Sequence, residues 1–79
     1  MDNIQKLNEV IAGVFNVNVT TISDDTSVDT VEDWDSLNHL KLILALEQEF
    51  DISFTEEETV ELLNYPLIKM TLSEHGVQF

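Results

Sequence analysis

The sequence predicts a small all-α domain: four helices, with one long loop between the first and the second. Two observations carry this. Apolar residues recur at intervals of three and four in separate segments, the spacing that lines one face of a helix. Glycine and proline are scarce, at two and one, so few positions can break a helix.

The first helix follows from Ile4, Leu7, Val10, Ile11, Val14 and Phe15, which form one apolar stripe. Asp2 or Asn3 caps its start by accepting backbone N–H bonds that the first turn leaves unpaired. From Asn16 to Trp34 the helical period disappears. Thr, Ser, Asp and Asn dominate there, and their side chains compete for backbone hydrogen bonds and favour turns. Val17, Val19, Ile22, Val28, Val31 and Trp34 are scattered through the loop and are expected to pin it to the core. A connection this long in so small a domain points to function.

The second helix is expected from Ser36 to Phe50. Leu40, Ile43, Leu44, Glu47 and Phe50 repeat at helical spacing, while Leu37, Leu42 and Leu46 widen the apolar surface. So broad a surface predicts a central helix, or one with a side that contacts something else. Thr55-Glu56-Glu57-Glu58 fits a capping box, so a short helix is expected through Val60, Leu62 and Leu63. Pro66 suits a first helical turn, and a last helix is expected from about Leu67 to His75. Gly76 is a suitable residue just past its end, and His75 complements the helix dipole.

Bulk properties narrow the function. Seventy-nine residues make one small domain, 1–79. A chain of this length buries only about 60–65% of its unfolded surface, so its core is thin. Sixteen acids against three bases give a net charge of −13. That field opposes nucleic acid and anionic membranes, which bind Lys and Arg, and favours partners with basic patches. There is no cysteine, hence no disulfide or thiolate metal site. The longest apolar run, Leu42-Ile43-Leu44-Ala45-Leu46, falls far short of the ~20 residues needed to cross a bilayer. Met1-Asp2-Asn3 lacks a basic leader region, so no membrane insertion and a cytoplasmic location are expected.

Candidate chemistry concentrates at Asp35-Ser36-Leu37. No glycine-rich phosphate loop or nucleophile elbow is present. Ser36 and His39 lie three apart on one helix, without oxyanion donors or a second domain to form a cleft, and His39 reads as a solvated surface residue. An EF-hand register begun at Asp33 places Leu37, Asn38 and Leu44 where the loop needs an oxygen ligand, a glycine and a glutamate. No metal site is expected. A serine at a helix mouth, however, faces unpaired N–H groups and partial positive charge, which stabilise an attached phosphate. The same tripeptide is also an ordinary N-cap signal.

Glu32-Asp33-Trp34-Asp35-Ser36-Leu37, with Leu40, the run Leu42 to Phe50, and Asp51-Ile52, resembles the acyl carrier protein family across nearly the whole chain. The resemblance implies a four-helix bundle in which Ser36 receives 4′-phosphopantetheine from coenzyme A. A phosphopantetheinyl transferase performs that reaction, so the carrier itself is not an enzyme. Cargo, acyl or aminoacyl, would ride on the arm's thiol as a thioester, and Asp35 and Leu37 would help to position the transferase and later partners. The second helix would meet loading and acyl-transferring enzymes through basic docking patches, with Asn38, Lys41 and Glu47 as partner contacts on a monomer. Family members often carry glycine where Asp33 stands, and fatty-acid carriers show a more continuous acidic face than one diluted by Asn38, His39, Lys41 and Gln48. Trp-Asp-Ser-Leu carriers resemble discrete members serving specialised pathways. An acidic helical interaction adaptor without a prosthetic group would share the charge and the helices, but it would not need Ser36.

The charge yields a first prediction. Like charges on a small domain repel, and salt shortens their reach to about 8–10 Å. Thermal melts at low and high salt, or with millimolar divalent cations, should show a rising Tm; a salt-indifferent Tm would mean that the acids are already paired or dispersed.

Overall fold

The computed structural model describes residues 2–79. Four α-helices follow in order: α1 (Asn3–Phe15), α2 (Ser36–Phe50), α3 (Glu56–Glu61) and α4 (Tyr65–Glu74), with a 3₁₀ turn at Val19–Thr21 inside the long loop. The small all-α bundle read from the sequence is the architecture observed. Its core gathers Leu7, Ile11 and Phe15 from α1, Leu42, Ile43 and Leu46 from α2, Leu62, then Tyr65, Ile68 and Leu72 from α4.

Each helix begins on a side-chain cap. Asp2 accepts from the Gln5 amide at 2.7 Å, and Asp35 from the Asn38 amide at 2.8 Å. Thr55 and Glu58 form the reciprocal capping box. Asn64 accepts from the Leu67 amide at 2.9 Å. This last cap moves α4 two residues ahead of the expected start, with Pro66 inside the first turn, where its missing N–H costs nothing. The chain turns left-handed after three of the helices, at Asn16 (φ 55°) after α1, Asp51 (φ 54°) after α2 and Gly76 (φ 94°) after α4. Only Gly76 does so without a Cβ penalty, which is why it was legible as a helix stop.

The long loop is built from two copies of one turn. In Ser23-Asp24-Asp25-Thr26 the Ser23 amide donates to Thr26 Oγ1 at 2.9 Å, and the Asp25 amide to Ser23 Oγ at 3.2 Å. Ser27-Val28-Asp29-Thr30 repeats both bonds at 2.8 and 3.2 Å. These side chains satisfy the backbone locally, so the loop stays ordered without regular structure. It is then stitched to the segment before α4 by the Val28 amide on the Leu63 carbonyl, 3.1 Å, and the Tyr65 amide on the Thr26 carbonyl, 2.8 Å. Val17, Ile22, Val28 and Val31 pack against the core and Trp34 is buried within it. Val19 is instead 40% exposed on the 3₁₀ turn, so it does not pin the loop.

The packing decides one alternative left open for the helices and corrects one expectation. Leu40 and Leu44 lie outside the core, each 56% exposed, because α2 turns Leu42, Ile43 and Leu46 inward. Helix α3 stops at Glu61, before Leu62 and Leu63. The Leu63 amide bonds to the Glu61 carbonyl at 2.9 Å, a tight turn that drops Leu62 into the core, fully buried.

Between α1 and α4, the Tyr65 hydroxyl donates to Asn8 Oδ1 at 2.6 Å. Burial, and secondarily the charge of Asp24, raise the Tyr65 pKa above 10.0. Between α3 and α4, His75 Nε2 lies 3.0 Å from Glu58 Oε1, with the Phe54 ring edge-on to the imidazole at 5.4 Å. The Thr55 backbone bond, and next the His75 contact, hold the Glu58 carboxyl below its ordinary 4.5. A carboxyl depressed by folding stabilises above its unfolded pKa and loses that contribution as pH falls through the folded value. The stability advantage of the wild type over Glu58→Gln should therefore be full above about pH 4.5 and shrink as acid is added. Paired urea melts across that range test this; a pH-independent difference would detach Glu58 from the effect.

Candidate functional site

The mouth of α2 is organised by the last residues of the loop. Trp34 is only 7% exposed, and its ring lies against Phe15 of α1, centroids 4.7 Å apart. With that side chain inside, the adjoining Asp35 and Ser36 stay at the surface. Asp35 adopts extended backbone (φ −102°, ψ −177°) and caps the helix, a bond worth about 1 kcal/mol. The Asn38 side chain reaches back and donates to the Asp33 carbonyl at 2.8 Å. The His39 amide takes the Asp35 carbonyl at 2.8 Å. The first turn is thus clipped to the loop from both sides, and the amides of Ser36 and Leu37 are left without intrahelical acceptors.

His39 departs from its expected place as a solvated residue. It is half-buried and uses both ring nitrogens. The Trp34 indole N–H donates to His39 Nδ1 at 3.0 Å. Indole is a donor only, so Nδ1 accepts and the proton sits on Nε2, which donates to the Thr59 carbonyl of α3 at 2.7 Å. The physical reason lies with Trp34: a buried indole N–H needs an acceptor, and His39 offers one. Because neither nitrogen is free, His39 is not placed to take a proton from Ser36.

Trp34, His39, Asp35 and Ser36 line a cleft of about 340 Å³ together with Val28, Val60 and Leu63. The loop, α2, α3 and the turn after α3 all contribute to it. The sequence marked Ser36 and Asp35, which line the cleft, and Leu37, which does not, and it missed Val28, Trp34, His39, Val60 and Leu63 as cleft residues. An indole followed five residues later by an imidazole was the available signal.

The expected partner contacts scatter in character. Lys41 is exposed. Asn38 is half-buried and engaged by Asp33. Glu47 spends its carboxylate on the chain itself, accepting from the Phe54 amide at 2.7 Å and fixing the connector to α3. What α2 presents outward near Ser36 is largely apolar: Leu37 is 62% exposed, Leu40 and Leu44 each 56%.

The chain, a helical domain with an exposed serine at the mouth of its second helix, is similar to known carriers. A family described as "Phosphopantetheine attachment site" matches residues 5–74. The acyl carrier protein of Buchnera aphidicola subsp. Schizaphis graminum (strain Sg) is 33% identical over 63 residues, spanning 78% of this chain and 80% of the relative. The chain belongs to the acyl carrier protein family of phosphopantetheine-binding proteins. Its group is covalently attached 4′-phosphopantetheine, and the family works with a phosphopantetheinyl transferase and acyl-handling enzymes. The α2 mouth fits a phosphate ester: the amides of Ser36 and Leu37 and the positive end of a fifteen-residue helix converge there. Among the described residues, no helix is long and apolar enough to cross a membrane.

Proposed function

We propose that residues 1–79 form a single carrier domain whose Ser36 bears the 4′-phosphopantetheine arm and whose cargo, acyl or aminoacyl, is held on that arm as a thioester. The observation that carries this reading is the exposure of Ser36 at a capped helix mouth, within a chain of this family. The exposed serine is open to a transferase, while Asp35 holds the turn that presents it. Leu37, the exposed neighbour, offers an apolar grip beside the serine. Tethering gives each partner enzyme a high effective concentration of its substrate. On this reading the carrier is a cytoplasmic monomer that catalyses nothing itself and serves loading and transferring enzymes with basic docking patches.

A specialised pathway, rather than housekeeping fatty-acid synthesis, is favoured by the outward face of α2. Lys41 stands exposed among leucines, where a basic partner would repel it. Rim charges of this kind act mainly on association rate and specificity. Inverting one at a protein surface is worth on the order of 1–2 kcal/mol after screening, or about tenfold in affinity.

Two experiments follow. Co-expression with a broad-specificity phosphopantetheinyl transferase should raise the intact mass by one arm, and Ser36→Ala should abolish the shift in a protein that stays helical. An unshifted wild-type mass sinks the carrier reading and leaves an acidic interaction adaptor. For pathway choice, Lys41→Glu alone is the clean variant, since Asn38 is engaged by the loop. The modified wild type should be a poor substrate of a fatty-acid ketosynthase, and Lys41→Glu should improve it several-fold, more at low salt than at high. Wild-type rates matching those of a fatty-acid carrier would return this protein to the housekeeping pathway.

A further inference from the structure

Helix α3 buries none of its own residues. A six-residue helix without a buried side chain has little holding it by packing, and such segments open locally at low cost. Its hold is polar. Glu58 pairs with His75, the residue that caps the end of α4, and the Thr59 carbonyl accepts from His39 of α2. That carbonyl is an orphan of the last turn: the amide four residues on, Leu63, is bonded to Glu61 instead. His39 supplies the donor that the helix end lacks. Its other nitrogen is held by Trp34, itself lodged against Phe15. Loop, α2 and α3 are therefore tied together by one imidazole, on the wall of the cleft beside Ser36.

The cleft ends at that wall. Phe15, Leu42, Leu46 and Leu62 are at most 1% exposed, and none of them lines it. An apolar chain entering between α2 and α3 would have to part the Trp34–His39–Thr59 bonds and leave a buried indole N–H, an imidazole and a carbonyl without partners, an outcome that costs far more than the bonds contribute.

We propose that His39 is a specificity-determining clasp, which keeps the cleft beside Ser36 shallow so that a long apolar acyl chain on the arm stays at the surface and is not drawn into the core between α2 and α3. This rests on the carrier reading of Ser36. His39 acts through α3 and is a positioning residue.

The test has two arms. In the unmodified protein, ¹⁵N shifts of the imidazole should show Nδ1 as acceptor and Nε2 protonated. Amide exchange in α3 should quicken about tenfold in His39→Ala while α1 keeps its protection. His39→Gln, which retains a donor of similar reach, should restore slow exchange. Unchanged α3 exchange in His39→Ala would overturn the clasp. In the second arm, the arm-bearing protein is loaded with acetyl, butyryl, hexanoyl or octanoyl groups. A buried chain stabilises with every methylene, so Tm reports entry. The wild type should hold its Tm within about 1 °C across the series, and the emission of Trp34, the single tryptophan, should not move. His39→Ala should gain at least about 5 °C from acetyl to octanoyl, a fraction of what six fully buried methylenes would give. A wild-type Tm that climbs with chain length overturns the cargo limit and leaves the carrier reading standing. A Ser36 that accepts no arm overturns both.

Discussion

Burying Trp34 is the constraint on which the rest of this structure depends. An indole of this size contributes more apolar area than any other side chain of the loop, and its contact with Phe15 fastens the loop's end to α1. Three consequences follow at once. The next residue, Asp35, is left extended at the surface and caps α2. The residue after that, Ser36, becomes the first residue of the helix with its side chain outside the core. The buried N–H demands an acceptor, and satisfying it with His39 commits the other imidazole nitrogen to α3. One aromatic side chain thus sets where the helix starts, what its mouth displays, and where the neighbouring short helix lies.

The short helix is the counterpart to this rigid corner. With no buried residue of its own, α3 relies on contacts from both sides, and each of the chain's two histidines supplies one. A carrier must be gripped by several enzymes in turn, and interfaces of that kind favour surfaces that give a little without unfolding. The core formed by α1, α2 and α4 holds the fold together, and α3 is free to be a wall. An acidic surface attracts basic groups at long range, whereas exposed leucines such as those of α2 act only at short range. These two functions are separable, since the first is screened by salt and the second is not.

Much of this was legible in the chain because it is local. Each helix start is set by a side chain bonding an amide three residues ahead, so Asp2, Asp35 and the Thr55–Glu58 box announce themselves within four letters. The loop's order is local as well, written in two Ser-x-Asp-Thr turns. Ser36, in the frame Trp-Asp-Ser-Leu, was visible for the same reason. The misplaced start of α4 came from reading Pro66 as the boundary, when Asn64 was the cap.

What the sequence could not determine was which side of α2 faces inward and what becomes of its polar groups. Leu40, Leu42, Leu44 and Leu46 are chemically alike, and only contacts with α1 and α4 decide that two are core and two are surface. Glu47 looked like a free docking acid until the connector placed the Phe54 amide 2.7 Å away. His39 looked solvated until the turn of Trp34 into the core brought a donor to one nitrogen and α3 brought an acceptor to the other, a residue twenty positions distant. Caps and turns close over a few bonds and depend on neighbours in the chain. The face a helix buries, and the partner a buried polar group finds, depend on neighbours in space, and those exist only once the helices have packed.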